Sequence, residues 1–276
     1  MTAKKAKVSP LVSIIMPAYN CELYIEAAVQ SILDQTYKDF ELIIVNDCST
    51  DNTGQIIDAL TKKDSRIKVF HNKNNIKQTR TRNFAIKQAK GAYIALMDGD
   101  DIRQSTSIAK QVDFLEEHPK VVVVGTGAAI CDQQMKHLND RLYPLVDSQI
   151  RRTFFRYSPF CLASLMIRSD KLEQPAYNAE LEPAEDIDLA MRLGKVGRLA
   201  NLPEVLYKVR THKQSVTQVG ARLMEKNTLY VRIKAVAEYG YHITLTDKLY
   251  FAVQLGTMYL MPPRFRFWLF NMIRSR

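Results

Sequence analysis

The chain has 276 residues, 46 % of them hydrophobic and 25 % charged, with only ten glycines and ten prolines. That composition excludes a disordered, collagen-like or low-complexity chain, and the length suits one large core or one domain with an appendage. The formal net charge of +10 is unevenly spread: residues 62–90 hold ten Lys or Arg against the single acid Asp64, and residues 264–276 hold four arginines and no acid. Such fields attract diphosphates, nucleic acid or an anionic membrane surface, and charge alone does not choose among these.

Alternation of short apolar runs with helical patterns begins almost at once. Strands are expected at 12–16, 40–45, 67–70, 93–97 and 121–124, and helices between them at 22–33, 52–60, 78–89 and 108–117. Strands separated by helices of this length imply parallel pairing through right-handed crossovers, with ligands outside the carboxyl ends of the strands. Beyond 121 the pattern is mixed, with strands expected near 164–167 and 205–209 and helices near 147–155 and 185–193. From about Gly220 the chain reads as helical, broken at Pro262-Pro263. A boundary near Thr217 would separate an α/β domain over 1–217 from a helical extension over 218–276. Within the domain, a nucleotide-binding half spans about 8–125 and an acceptor half about 126–217.

Cys21, Cys48, Cys131 and Cys161 lie far apart without a CxxC pair. This spacing suits neither a zinc site nor a small disulfide scaffold, and it reads as reduced thiols in a cytoplasmic protein. The basic start, 1–7, is not followed by a signal-peptide core. The uncharged stretch 249–263 contains Gln254 and ends in two prolines. It falls short of the roughly 20 apolar residues of a spanning helix.

Four polar clusters stand at strand ends or helix starts. Pro17, Ala18, Tyr19 and Asn20 close the first strand; a plain turn, with Pro17 stopping the strand and Asn20 capping the next helix, accounts for them equally well. Asp47 follows the second strand, one residue too early for a helix cap, where a carboxylate can accept the imide N–H of a nucleobase; Ser49, Thr50 and Asp51 behind it are all suitable caps. Asp98, Asp100 and Asp101 place three carboxylates within four residues, which repel unless a cation or solvent compensates. A hard divalent cation held by one or two carboxylates and substrate phosphates needs such a cluster. Glu185, Asp186 and Asp188 open a helix, where acids also favour the macrodipole for purely structural reasons.

In this order the segments resemble family-2 glycosyltransferases. Residues 12–20 look like the family's opening strand and Pro-x-Tyr-Asn turn, and 46–51 its Asp-x-Ser-x-Asp segment. Thr81-Arg82-Asn83 resembles its Ala-Arg-Asn segment, although Thr81 and Phe84-Ala85 depart from the usual small residues and glycine. Asp98-Gly99-Asp100-Asp101 is similar to the Asp-x-Asp motif, Glu185-Asp186 to the Glu-Asp motif, and Tyr207 to His212 to a late Tyr-Arg-x-x-x-His segment. The resemblance spans about 12–217. It implies the GT-A fold, a Rossmann-like, mostly parallel sheet flanked by helices, and an inverting transfer from a UDP-sugar to a saccharide or lipid-linked saccharide. It assigns Asp47 to the base, Pro17, Ala18, Tyr19 and Asn20 to the nucleotide pocket, and Asp98 to the ribose or sugar. Asp100, with Asp98, Asp101 and His212 as further ligands, would hold Mn²⁺ or Mg²⁺, and Asp186 would be the general base, with Glu185 and Asp188 as alternatives. Arg82 would add positive charge at the diphosphate, unless it lies on a solvated helix face. The resemblance also implies a role in bacterial surface polysaccharide or lipooligosaccharide synthesis.

Other readings compete. Gly125-Thr126-Gly127 after an apolar run imitates a dinucleotide-binding turn, but Ile130 takes the third glycine's place and the strand is fifth, not first. A sugar nucleotidyltransferase needs a glycine-rich basic loop after the first strand, where this chain has 17–20 without glycine. A basic nucleic-acid-binding protein lacks any recognisable module here, so no nucleic-acid partner is expected. The tail from Arg264 to Phe270 mixes arginine with Phe, Trp and Leu as interfacial helices do. It is expected to dock on the inner face of the cytoplasmic membrane, or to pack on the core or on a second subunit in a homodimer.

Overall fold

The computed structural model describes residues 9–211 and 221–260. His212, Thr217, the Pro262-Pro263 break and the Arg264 to Phe270 tail, like the basic start, lie outside the described residues.

Elements alternate through the first half: β1 Val12–Ala18, α1 Ile25–Leu33, β2 Phe40–Asn46, α2 Thr53–Thr61, β3 Ile67–His71, α3 Gln78–Gln88, β4 Tyr93–Leu96. β5 Ile102–Arg103, α4 Ser107–Glu117, β6 Val121–Cys131, β7 His137–Arg141 and α5 Asp147–Thr153 follow. The chain then forms β8 Met166–Arg168, α6 Glu185–Val196, β9 Arg198–Arg210, α7 Ala221–Glu238 and α8 Leu245–Leu260. The sheet runs β3-β2-β1-β4-β8-β6-β9-β5, with β7 paired to β6. β1 pairs in parallel with β2 and β4, and β2 with β3, as the βα alternation requires. β8 is the exception, antiparallel to both β4 and β6, so β6 does not join the first four strands directly. β6 and β9 are parallel to each other, and β5 and β7 are antiparallel to their neighbours. The carboxyl ends of β1, β2, β4, β6 and β9 therefore share one rim.

Both faces of the sheet are covered, which explains why β1 and β2 read as unbroken apolar runs. Ile14, Met16, Leu42 and Ile44 point into a core under α1, α2 and α4. Ile15, Ile43 and Val45 alternate into the opposite core under α3 and α6. Val231, Ala235, Tyr239 and Tyr241, from α7 and the turn after it, complete that second core.

Several boundaries differ from the sequence expectation for identifiable reasons. β1 continues through Pro17 to Ala18, because pairing with β4 ends at Ile15 opposite Leu96 and no ladder N–H is needed beyond it. β6 runs on to Cys131, so Gly125 and Gly127 sit inside a strand rather than at a phosphate-binding turn. A side chain at Gly125 would come within 2.3 Å of Asn201 Oδ1 on β9, and that close approach explains the glycine. α1 begins at Ile25 after a turn, and Asn20 does not cap it. The sequence pattern announces neither β5 nor β7: β5 is two residues long, and all of β7 is exposed, leaving no apolar alternation to betray it.

Candidate active site

The first two strand-end loops are fastened to one another. Asn20 adopts a left-handed backbone (φ 47°), and its Oδ1 accepts the Thr50 N–H at 2.8 Å while its own N–H donates to Ser49 Oγ at 3.1 Å. Asp47 N–H donates to Ala18 O at 2.8 Å. These contacts make Asn20 a brace, leaving Tyr19, 49 % exposed, as the side chain that stands at the rim. Asp51, not Asn52, serves the start of α2, its Oδ1 accepting the Thr53 N–H at 3.0 Å.

Asp47 is buried, and its Oδ1 takes the Asn72 amide at 2.8 Å and the Ile76 N–H at 3.0 Å. Both bonds fall on one oxygen and hold the loop between β3 and α3 against the rim. Asn72 had no signal in the sequence, since a loop asparagine between two apolar periods looks like ordinary turn chemistry.

Arg82 joins the remaining acids. Its side chain is 5 % exposed, so the solvated-face reading is corrected: α3 turns this residue inward. One terminal nitrogen lies 2.8 Å from Asp98 Oδ1, and the other 3.1 and 3.2 Å from the two oxygens of Asp186. Burial alone would lower the guanidinium's pKa, but the charges of Asp186 and Asp98 outweigh it and hold the pKa well above its ordinary value. Gln78, one turn earlier on α3, also reaches Asp98 Oδ1, at 3.3 Å. Asn83 exchanges two hydrogen bonds with the backbone of Tyr177, both 2.8 Å. That pairing sets the Tyr177 ring 5.8 Å from the Arg82 guanidinium.

The acids at 98–101 have separate fates. Asp98 is partly exposed beside Arg82. Asp101 is 4 % exposed and turned inward, its Oδ1 accepting the Arg210 N–H at 2.8 Å. Burial first, then the charges of Asp100 and Asp98, push its carboxyl well above the usual range, partly countered by bonds from Arg210 and Tyr207. Arg210 also donates to Asp100 O at 2.8 Å and to Gln133 O at 2.6 Å, so the end of β9 fastens the whole loop. Beneath lies Arg103, buried without a carboxylate and bonded to Leu96 O at 2.6 Å and Gln111 Oε1 at 2.7 Å. Burial pulls its pKa down to about 10. Asp100 is partly exposed between these two neighbours.

The acids opening α6 divide likewise. Asp186 meets Arg82, as above. Asp188 is 1 % exposed and points elsewhere, bonded to Arg192 Nε at 2.8 Å and to the Tyr239 hydroxyl at 3.0 Å. It lines a cavity of about 400 Å³ with Arg80, Asn83, Tyr177 and Arg192, and both of its oxygens are bonded to the frame. Glu185 is buried, and burial followed by the charge of Asp186 pushes its carboxyl up to about 7.

A divalent cation fits this rim in a limited way. Among the described residues no three His, Cys, Asp or Glu side chains converge as a closed cage. One or two carboxylates from Asp100 and Asp98, completed by phosphate oxygens and water, match the way Mg²⁺ and Mn²⁺ bind beside nucleotides. Asp101 contributes by anchoring the loop, and His212 lies outside the described residues.

A mixed sheet covered by helices, with acids from two strand-end loops and a helix start drawn to one rim, defines a GT-A glycosyltransferase. The Glycosyl transferase family 2 signature matches residues 13–173, more than half of the chain, and the chain belongs to that family. It is 38 % identical over 206 residues to the putative glycosyltransferase EpsE of Bacillus subtilis, covering 73 % of each chain. In structure it resembles S. aureus TarS 1–349, solved in complex with UDP-GlcNAc, with TM-score 0.66 and 24 % identity over 81 % of this chain and 66 % of that one. It also resembles the mannosyltransferase PcManGT of Pyrobaculum calidifontis, solved with GDP-Man and Mn²⁺, with TM-score 0.62 and 16 % identity over 95 % and 84 % of the two chains. Among the described residues no helix is long and apolar enough to cross a membrane.

Proposed function

We propose that this glycosyltransferase moves a sugar from a UDP-sugar to an acceptor hydroxyl with inversion, in the synthesis of a bacterial surface polysaccharide or lipooligosaccharide. The observation that carries this reading is the buried Arg82, which binds Asp98 and Asp186 from segments 88 residues apart in the chain (186 − 98). Asp98 follows β4 and Asp186 opens α6; the reading gives the first to the donor and the second to the attacking face.

The acceptor oxygen attacks the anomeric carbon from the face opposite the diphosphate; its bond to carbon forms as the carbon–phosphate-oxygen bond breaks. Asp186 takes the acceptor's proton as that bond forms. Arg82 keeps its carboxylate oriented, and Asn83, through Tyr177, shapes the wall beside it. Asp47 receives the nucleobase N–H, and Tyr19 covers the base. Mn²⁺ or Mg²⁺, held by Asp100 and Asp98, would stabilise the charge that builds on the leaving UDP.

The test is a screen of nucleotide sugars for donor turnover with Mn²⁺ or Mg²⁺, repeated with Asp100→Asn and Asp186→Asn. Asp100→Asn is expected to abolish metal-dependent UDP binding, and Asp186→Asn to spare binding and stop transfer. Normal turnover by both variants overturns the assignment. Release of pyrophosphate from UTP and a sugar phosphate would replace it with a nucleotidyltransferase.

A further inference from the structure

α8 presents its apolar side to solvent. Leu245, Leu249 and Val253, at successive i, i+4 positions, are 82 %, 66 % and 52 % exposed, and Ala252 beside them is exposed too. The inward side mixes Phe251, packed against the second core, with polar groups. Asp247, 3 % exposed, accepts the Thr244 N–H and hydroxyl at 3.0 and 2.6 Å and pairs with Arg156 at 3.4 Å. Gln254 accepts from the buried Arg232 at 3.0 Å. A helix packed only on a water-soluble domain has no use for a second, aliphatic stripe on its outward face. α7 also carries exposed apolar side chains, Leu223, Tyr230 and Ile233, 52 %, 54 % and 58 % exposed, beside the exposed cations Arg222 and Lys226.

Charge identifies the occupant. No Asp or Glu follows Asp247, whereas Lys248, Arg264, Arg266, Arg274 and Arg276 do, together with Phe265, Phe267, Trp268 and Phe270. A second copy set face to face on this surface would bring the cations of α8 and the sequence after it together, and the exposed acid of α7, Glu238, is already beside Lys234. An anionic bilayer satisfies both properties, admitting the aliphatic stripe to the acyl boundary and pairing the cations with its headgroups. We propose that the outward faces of α7 and α8 lie on an anionic lipid surface. α7 is tied to the site: Asn227 donates to the carbonyls of Leu181 and Glu182 at 3.1 and 3.0 Å, just before the acids of α6. Membrane contact would thus set the candidate base beside a lipid-linked acceptor. That last link rests on the proposed function; the docking itself does not.

Full-length protein is mixed with phosphatidylcholine vesicles with and without phosphatidylglycerol and sedimented. Binding is expected only with the anionic lipid, and Leu249→Glu/Val253→Glu should cut the partition coefficient about tenfold or more. Both side chains are more than half exposed, so circular dichroism, thermal midpoint and donor turnover should stay as in the unaltered protein. Absence of binding to anionic vesicles overturns the proposal. So does binding that the double substitution leaves unchanged and that only removal of 261–276 abolishes. A dimer in sedimentation velocity that the double substitution dissolves would assign the face to a second copy instead. Loss of vesicle binding with intact transfer to a soluble acceptor supports the proposal, and failure of transfer in the unaltered protein counts only against the proposed function.

Discussion

The acidic segments 98–101 and 185–188 each hold three carboxylates, and the fold sorts both in the same manner by different means. In each, one acid reaches Arg82: Asp98 from the first segment and Asp186 from the second. In each, one acid is turned inward and bonded to the frame, Asp101 to Arg210 and Asp188 to Arg192 and Tyr239. The third members differ. Asp100 stays partly exposed at the rim, whereas Glu185 is buried with its carboxyl pushed up to about 7. The lesson is that a cluster of acids marks a region, while burial and partners decide which carboxylate acts on a ligand and which acts on the fold.

The sharpest way to break the comparison is to exchange the roles within the second segment. Asp186→Asn should lower kcat by about 10²–10⁴, the usual worth of a general base. Asp188→Asn should leave kcat within about twofold and lower stability by about 3 kcal/mol, because Arg192 loses a buried partner. Steady-state kinetics beside urea denaturation separates the two, and the reverse pattern would mean that Asp188 is the base.

Removing the shared cation tests both segments at once. Arg82→Met leaves Asp98 and Asp186 without their common counter-charge; because both are partly solvated, a loss of about 2–3 kcal/mol is expected in denaturant unfolding. An unchanged midpoint would show that the bridge contributes nothing to holding α3 and α6 together.

Glu185 gives a smaller, pH-dependent effect. Its folded pKa, about 7, lies above the ordinary 4.5, so the folded state holds the proton more tightly than the unfolded chain. The associated stability is complete below about 4.5 and is lost as pH rises through about 7. Unfolding at about pH 5 and about pH 8 should therefore show a decline of roughly 1–3 kcal/mol in the native protein that Glu185→Gln removes. An identical slope in both proteins would place the decline elsewhere.

Much of the first half was legible because its physics is local. Runs such as Ile14-Ile15-Met16 and Leu42-Ile43-Ile44 are apolar on both faces, and only a sheet covered on both sides hides them. The order of Pro17, Asp47, Arg82, Asp98 and Asp186 along the chain was enough to place the family. The second half was less legible: β8 is three residues long and reverses direction between β4 and β6, a pairing that periodicity cannot announce. For Asn20 and Arg82 no local pattern names the protein groups they meet, Ser49 and Thr50 for the first and Asp98 and Asp186 for the second, since a side chain's partner comes from another segment.

By itself the sequence determined the alternation of strands and helices, the gathering of acids near strand ends, and the positive surplus that favours anionic ligands. All of these follow from residue type and spacing of neighbours along the chain. Tertiary structure alone decided that Arg82 is buried between Asp98 and Asp186, that Asp101 and Asp188 face inward, and that α8 turns Leu245 and Leu249 outward. These depend on contacts between residues tens of positions apart, where desolvation and charge pairing, absent from any local pattern, set the outcome.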